Sequence, residues 1–182
     1  MFWFGLALGC VLAVIGGIAM RRWASFSAQR PEDYVSGAPL DIRQSLNGDI
    51  ACDGVIYGPF GRVASRFKGN FQAQWTGDQG AMVEHFFYDS GGRQTRHWSL
   101  KIGPDGQIEA DAPDLVGKGY GRQTGSAMVL RYRIRLDEDA GGHVLSVTDW
   151  IYTTPGGALV NRSQFRKFGF KVAELIATMR PA

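Results

Sequence analysis

The residues best suited to chemistry lie close together, in the stretch "EHFFYDSGGRQTRHW" at 84–98. Two aromatic-rich runs flank a Ser-Gly-Gly turn. If side chains alternate at period two, Met82, Glu84, Phe86 and Tyr88 share one face of the first run. Gln94, Arg96, Trp98 and Leu100 then share one face of the second. Folded as a hairpin with these faces on the same side, Glu84 meets Arg96 among Phe86, Tyr88 and Trp98. A carboxylate and a guanidinium in an aromatic wall can form the polar end of a pocket for an amphiphile. Arginine supplies a permanently charged, bidentate fork for a carboxylate headgroup. On an exposed face the same pair would be an ordinary cross-strand contact worth under about 1 kcal/mol.

Other chemistries fit less well. His85 and His97 can face each other on the opposite side of that hairpin, and His143 stands alone, so no third ligand completes a zinc site. Ser146 and Asp149 lie on an alternating run with no nucleophile elbow around them. "GKGYGRQTG" at 117–125 lacks the Lys-Ser/Thr of a phosphate loop, and its glycines suit a bent strand. Asp149 is expected to pair with Arg162 across the "TTPGGA" loop and set that hairpin's register. The reading is therefore of no catalytic set, no metal and no cofactor.

These residues need a frame, and alternation supplies it. In "MVLRYRIRL", Met128, Leu130, Tyr132, Ile134 and Leu136 share one face and Arg131, Arg133 and Arg135 the other. Similar runs recur from Asn47 onward, separated by "TGDQG", "SGG", "GPDG" and "PGG". One wet face and short turns indicate antiparallel strands. No long amphipathic helix separates them, so a closed meander is favoured over a βαβ sheet. The expected fold is all-β, an antiparallel lipocalin-like barrel over residues 47–182. The final segment is ambiguous: Val172, Leu175, Ile176 and Met179 fit helical spacing as well as a closing strand.

Residues 1–23 open with "MFWFGLALGCVLAVIGGIAM", which carries no charged side chain and is followed by Arg21 and Arg22. About 20 apolar residues match the thickness of a bilayer core, and Trp3 and Trp23 bracket the run as interfacial aromatics do. The expectation is an uncleaved single-pass transmembrane anchor. The rival, acylation at Cys10 in "ALGC", lacks the usual leucine and is followed by further apolar sequence. Residues 24–46 mix Ser, Pro, Gly and charge and read as a linker. The net charge of +3 is scattered rather than clustered, which argues against a nucleic-acid partner. With Cys10 in the leader, Cys52 has no evident disulfide partner.

"EHFFYDSGGRQTRHW", "DLVGKGYG" and "DWIYTTPGGALVNRSQFRKFGFKVAEL" together resemble the DUF3833 family, bacterial proteins with no assigned function, many described as lipoproteins. The likeness covers roughly residues 47–180. It implies a small lipocalin-like barrel attached to a membrane, and no known reaction. For this chain that means the bacterial inner membrane, with the side on which the barrel lies left open. The leading expectation is a membrane-anchored, non-enzymatic protein that holds a fatty acyl chain or other hydrophobic small molecule in an eight-stranded barrel. Glu84 and Arg96 would orient the polar end, and Phe86, Tyr88, Trp98, Tyr132 and Trp150 would supply the apolar wall. The alternatives are an assembly protein whose barrel is filled by its own side chains, or an enzyme acting on lipid-like substrates.

Overall fold

Alternation builds the frame. A computed structural model of the protein describes residues 2–23 and 25–182, with side chains for 9–20, 23 and 25–182. Among them, strands β1 (Gly48–Tyr57), β2 (Val63–Thr76), β3 (Gln79–Tyr88), β4 (Arg93–Ile102) and β5 (Gln107–Asp111) are followed by β6 (Gly119–Thr124), β7 (Ala127–Arg135), β8 (Val144–Thr153), β9 (Leu159–Lys167) and β10 (Phe170–Pro181). Each pairs antiparallel with its chain neighbour, and β10 returns to pair with β1, closing the barrel.

The all-β antiparallel barrel is as expected, but it has ten strands rather than eight. The additional strands β5 and β6 are short. They lie in "GQIEADAPDLVGKGYGRQT", where Pro113 and four glycines obscure any alternation. The ambiguous C-terminal segment is the closing strand β10. A register shift between Lys171 and Ala173 breaks its period, and this is why its apolar residues mimic helical spacing.

Inward side chains fill the interior: Ile50 and Cys52 from β1, Phe67 and Phe71 from β2, Met82 from β3, Trp98 and Leu100 from β4, and Met128, Leu130 and Tyr132 from β7 are all buried. The aromatic rings need missing side chains beside them. A Cβ on Gly54 would lie 2.3 Å from Phe67 Cζ, and one on Gly69 would lie 2.6 Å from Phe71 Cε1.

Of residues 24–46, which composition presents as a linker, 25–46 pack on the barrel over much of their length. Two short turns, Phe26–Ala28 and Pro31–Tyr34, run down the outside of β7 and β8. There Tyr34 contacts Trp150 and Tyr152 with ring centroids 5.2 Å apart in each case. The single turn α2 (Ile42–Ser45) then crosses one end of the barrel, capped by Asp41, whose side chain accepts from Arg43 N. Leu40, Ile42 and Leu46 are buried there, and Trp75 Nε1 donates to Leu46 O at 2.7 Å. That end is closed.

The N-terminal run forms the helix Phe2–Trp23. Among the described residues, however, no helix is long and apolar enough to cross a membrane. The expected anchor segment is thus present as a helix, and its crossing of a membrane is not shown. The side chains of Trp3, Arg21 and Arg22 lie outside the described residues.

Candidate functional site

The β3–β4 hairpin has the register expected from its alternation. Glu84 lies opposite Arg96, Met82 opposite Trp98 and Phe86 opposite Gln94, and all of these side chains except Gln94 are directed into the barrel. They line a cavity of about 120 Å³. Its apolar wall includes Phe67, Phe71, Phe86, Met82, Met128 and Met179, and its closed end is formed by Ile42 and Leu46 of α2. Of the expected site residues, Glu84, Phe86, Arg96, Trp98 and Tyr132 line it.

The other two lie elsewhere. Tyr88 stands beyond Phe86 toward the β3–β4 turn, donating from its hydroxyl to Gln94 Oε1 at 2.8 Å, and it lines a separate groove with Gly54 and Phe67. Trp150 is on the outer face. It is 1% exposed because Ala127, Val129, Phe26, Tyr34 and Tyr152 cover it, not because it lies in the barrel. Its neighbour Asp149 takes the inward position.

The polar cluster has more members than sequence reasoning found. Trp98 Nε1 donates to Glu84 Oε2 at 2.9 Å. The Arg96 guanidinium lies 4.4 Å from the Trp98 ring centroid and 3.9 Å from Glu84 Oε2. Its strongest contacts are with Asp114: Arg96 Nε donates to Oδ2 at 2.9 Å and Nη2 to Oδ1 at 3.3 Å. Asp114 belongs to the loop 112–118, and that loop's position follows from the short neighbouring strands. β5 pairs only with residues 99–102 of β4, so the other half of β4 has no strand on that edge. The loop fills the gap and is stitched to β7 by Val116 N to Arg133 O at 2.8 Å and Arg135 N to Asp114 O at 2.9 Å. Arg96 also lines an outer cleft of about 600 Å³ between β4 and this loop, so it stands in the wall between cleft and cavity.

Across the cavity, the Tyr132 hydroxyl donates to Asp149 Oδ2 at 2.8 Å, and the Tyr132 and Trp98 rings meet edge to face at 5.4 Å. Asp149 Oδ1 is buried with no hydrogen-bond partner. The expected Asp149–Arg162 pair does not form. Asp149 lies opposite Ser163 and Trp150 opposite Arg162, so the two charges point to opposite faces. Arg162 instead bonds Glu174 at 2.6 Å and stacks on Phe26.

Burial raises the Glu84 pKa above the ordinary glutamate value, with Arg96 and the Trp98 hydrogen bond opposing it. Burial also works against the Arg96 charge, but Tyr132, Glu84 and Asp114 outweigh it and hold the pKa above the usual arginine value. Burial, reinforced by Asp149, lifts Tyr132 well above its ordinary value, so it remains a neutral donor. His85 and His97 do not face each other. His85 lies opposite Thr95 and His97 opposite Val83. Among the described residues, no group of three or more His, Cys, Asp or Glu is placed to hold a metal ion.

A family model described as "Protein of unknown function (DUF3833)" matches residues 20–181. The chain is also similar to a solved structure described as "Structure of a redesigned beta barrel, mFAP1, bound to DFHBI", at 13% identity and a TM-score of 0.41, covering 76% of this chain and 96% of that one. No curated protein matches.

Proposed function

The chain belongs to the DUF3833 family, which carries no described activity, so we propose from the site alone that it is a membrane-tethered barrel that binds a small amphiphile. The apolar body of the ligand lies against Phe67, Phe71, Phe86 and the methionines. Its head donates a hydrogen bond to Asp149. The carrying observation is the buried, unpartnered Asp149 Oδ1 in the cavity wall. An unsatisfied buried acceptor costs about 1–3 kcal/mol, which a bound donor recovers.

Charge sets the kind of head. Glu84 and Asp114 flank one guanidinium, Asp149 stands across the cavity on Tyr132, and Arg96 is already engaged by Asp114 through Nε and Nη2. A carboxylate, the headgroup that Arg96 suggests from the sequence, would reach only the remaining Nη1 side of the guanidinium, next to Glu84, and would face Asp149. A hydroxyl or an amine suits the site better.

Size sets the body. At about 120 Å³ the cavity falls below the roughly 300–1,000 Å³ of drug-sized pockets and near the roughly 150 Å³ of a dry engineered cavity that accepts benzene. The occupant is therefore one ring or a short chain. A longer chain requires the methionines, which adapt readily, to move aside. The same small volume favours a second reading, a non-catalytic assembly protein with a self-filled barrel.

The tether is α1 (Phe2–Trp23). Its sequence is uncharged through Met20, and Val11, Leu12, Val14, Ile15, Ile18 and Met20 are each more than half exposed. These residues surround the helix rather than forming a stripe, the pattern of a segment meant for lipid. The expected location is the bacterial inner membrane.

Native mass spectrometry of gently extracted full-length protein, followed by titration with alkyl alcohols, amines and acids of matched chain length, tests the reading. Alcohols or amines should saturate and acids of the same length should bind more weakly. No uptake of any of them would leave the filled barrel as the answer.

A further inference from the structure

We propose that the barrel end opposite α2 docks on an anionic lipid surface, with Phe60, Phe168 and Phe170 among the headgroups and Arg62, Lys167 and Lys171 on the phosphates. This rests on the membrane tether of the preceding reading and not on the ligand.

The three phenylalanines are 95%, 89% and 77% exposed, so none contributes to the core. They come from two adjoining turns. Phe60 is in the β1–β2 turn, Phe168 tips the β9–β10 turn and Phe170 begins β10. Because β10 pairs with β1, with Tyr57 opposite Glu174, those turns are neighbours on the rim. The backbone at Phe168 is also unusual. Its φ of 51° is left-handed and is followed by Gly169 at 82°, in a two-residue turn of the kind that normally takes Asn-Gly or Gly-Gly. A side chain other than Asn or Asp is disfavoured in that conformation. The fold thus holds an aromatic ring in solvent at a position where the turn itself prefers another residue. Exposed aromatic rings with an apolar body are suited to a membrane interface.

The cations are placed to match. Arg62 is exposed beside Phe60, and Lys167 Nζ lies 5.7 Å from the Phe168 ring. Lys171 follows Phe170 and shares Glu174 Oε2 at 2.9 Å. Of the acidic residues of this end, Asp89 is paired with Arg66 and Asp114 with Arg96, while Asp137, Glu138 and Asp139 lie on the next loop of the rim, between β7 and β8, so the docked barrel tilts with β1, β2, β9 and β10 toward the lipid.

One further contact ties the rim to the tether. Arg166 Nη1 donates to Gly169 O at 2.9 Å inside the aromatic turn, and its Nη2 donates to Ser27 Oγ at 3.0 Å. Ser27 follows shortly after Trp23, where the N-terminal helix ends. The chain therefore arrives from that helix at the same end of the barrel that carries the rings, while α2 closes the other end.

The test is photo-crosslinking of full-length protein in phosphatidylethanolamine–phosphatidylglycerol vesicles. Benzoyl-phenylalanine is introduced singly at Phe60, at Phe168, or at Asp105, which is exposed in the β4–β5 turn at the α2 end. Lipid adducts should form severalfold more at positions 60 and 168 than at 105. They should fall when phosphatidylcholine replaces phosphatidylglycerol or when Lys167→Gln and Arg62→Gln are combined. Equal adducts at all three positions, none at 60 and 168, or adducts to another protein in native membranes would overturn the proposal. Adducts are read before washing, and alkaline carbonate extraction then reports on the tether separately.

Discussion

Replacing Arg96 with methionine tests whether the polar cluster is a buried network. The substitution keeps an unbranched apolar stem over the Trp98 ring and removes the charge. The side chains of Arg96, Glu84 and Asp114 are 15%, 11% and 27% exposed, so this is not a surface pair. Removing one partner of a buried pair costs about 3–5 kcal/mol, because the other charge is left uncompensated. Here Glu84 retains the Trp98 Nε1 bond, its ion-pair distance to Arg96 is long, and Asp114 can turn partly to water. The expected loss is therefore at the low end, about 3 kcal/mol. Adding Glu84→Gln should return most of it, since the amide oxygen still accepts from Trp98 and carries no charge to bury. The assay is urea unfolding of the full-length protein in a mild nonionic detergent, followed by tryptophan fluorescence at pH 7. A loss below about 1 kcal/mol, typical of a solvent-exposed pair, would refute the reasoning. So would a Glu84→Gln change that deepens the loss.

Glu84→Gln alone should alter the pH dependence of stability. Because the folded pKa of Glu84 is raised by burial, the folded state binds this proton more tightly than the unfolded state. Its contribution is complete below the ordinary value of 4.5 and drains away as pH rises through the raised pKa. Thermal melts at stepped pH should show Glu84→Gln gaining on the natural protein as pH rises, and parallel curves would contradict this. Trp150→Ala should cost about 3–5 kcal/mol of stability yet leave ligand uptake unchanged, because its ring lies outside the barrel. Gly54→Val should lower uptake as well as stability. Its side chain would push Phe67 toward the cavity at a cost of about 1–3 kcal/mol, and uptake measured by native mass spectrometry should fall. The Cys52 thiol, pushed up to about 12 by burial, should resist iodoacetamide at neutral pH until denaturant is added. Rapid native alkylation would show that solvent reaches the cavity freely.

The barrel was legible wherever one strand face is wet. β7 alternates without a break, and the β3–β4 register followed from period two across a short turn, so Glu84 and Arg96 were found as a pair. Alternation carries no such signal where an outer face is covered. In "VTDWIY" both faces are half or fully buried, because residues 26–34 lie over the outside. Hydrophobicity then cannot tell which parity points inward, and Trp150 was expected in the cavity in place of Asp149. Asp114 was invisible for a different reason. It sits in a loop with no periodicity, and it reaches Arg96 only because β5 stops short of covering the β4 edge. Leu40, Ile42 and Leu46 are spaced among Ser, Pro and charged residues, so local composition resembles a linker while the burial is tertiary.

The cluster of Glu84, Arg96, Asp114, Tyr132 and Asp149 is not explained by stability. Apolar residues of similar volume usually equal or exceed a buried ion pair in stabilising a fold, and an orphaned acceptor adds a penalty of its own. Trp98 donates to Glu84, Arg96 to Asp114 through Nε and Nη2, and Tyr132 to Asp149. On the cavity wall, the buried acceptor left without a donor is Asp149 Oδ1. A ligand that merely filled the apolar space would leave that deficit in place. One that brings its own donor removes it, and one that brings a carboxylate makes it worse. The proposed selectivity for alcohols or amines over acids thus rests on this one unmatched acceptor. Removing the unsatisfied acceptor by Asp149→Leu should erase that selectivity while preserving affinity for a purely apolar ring.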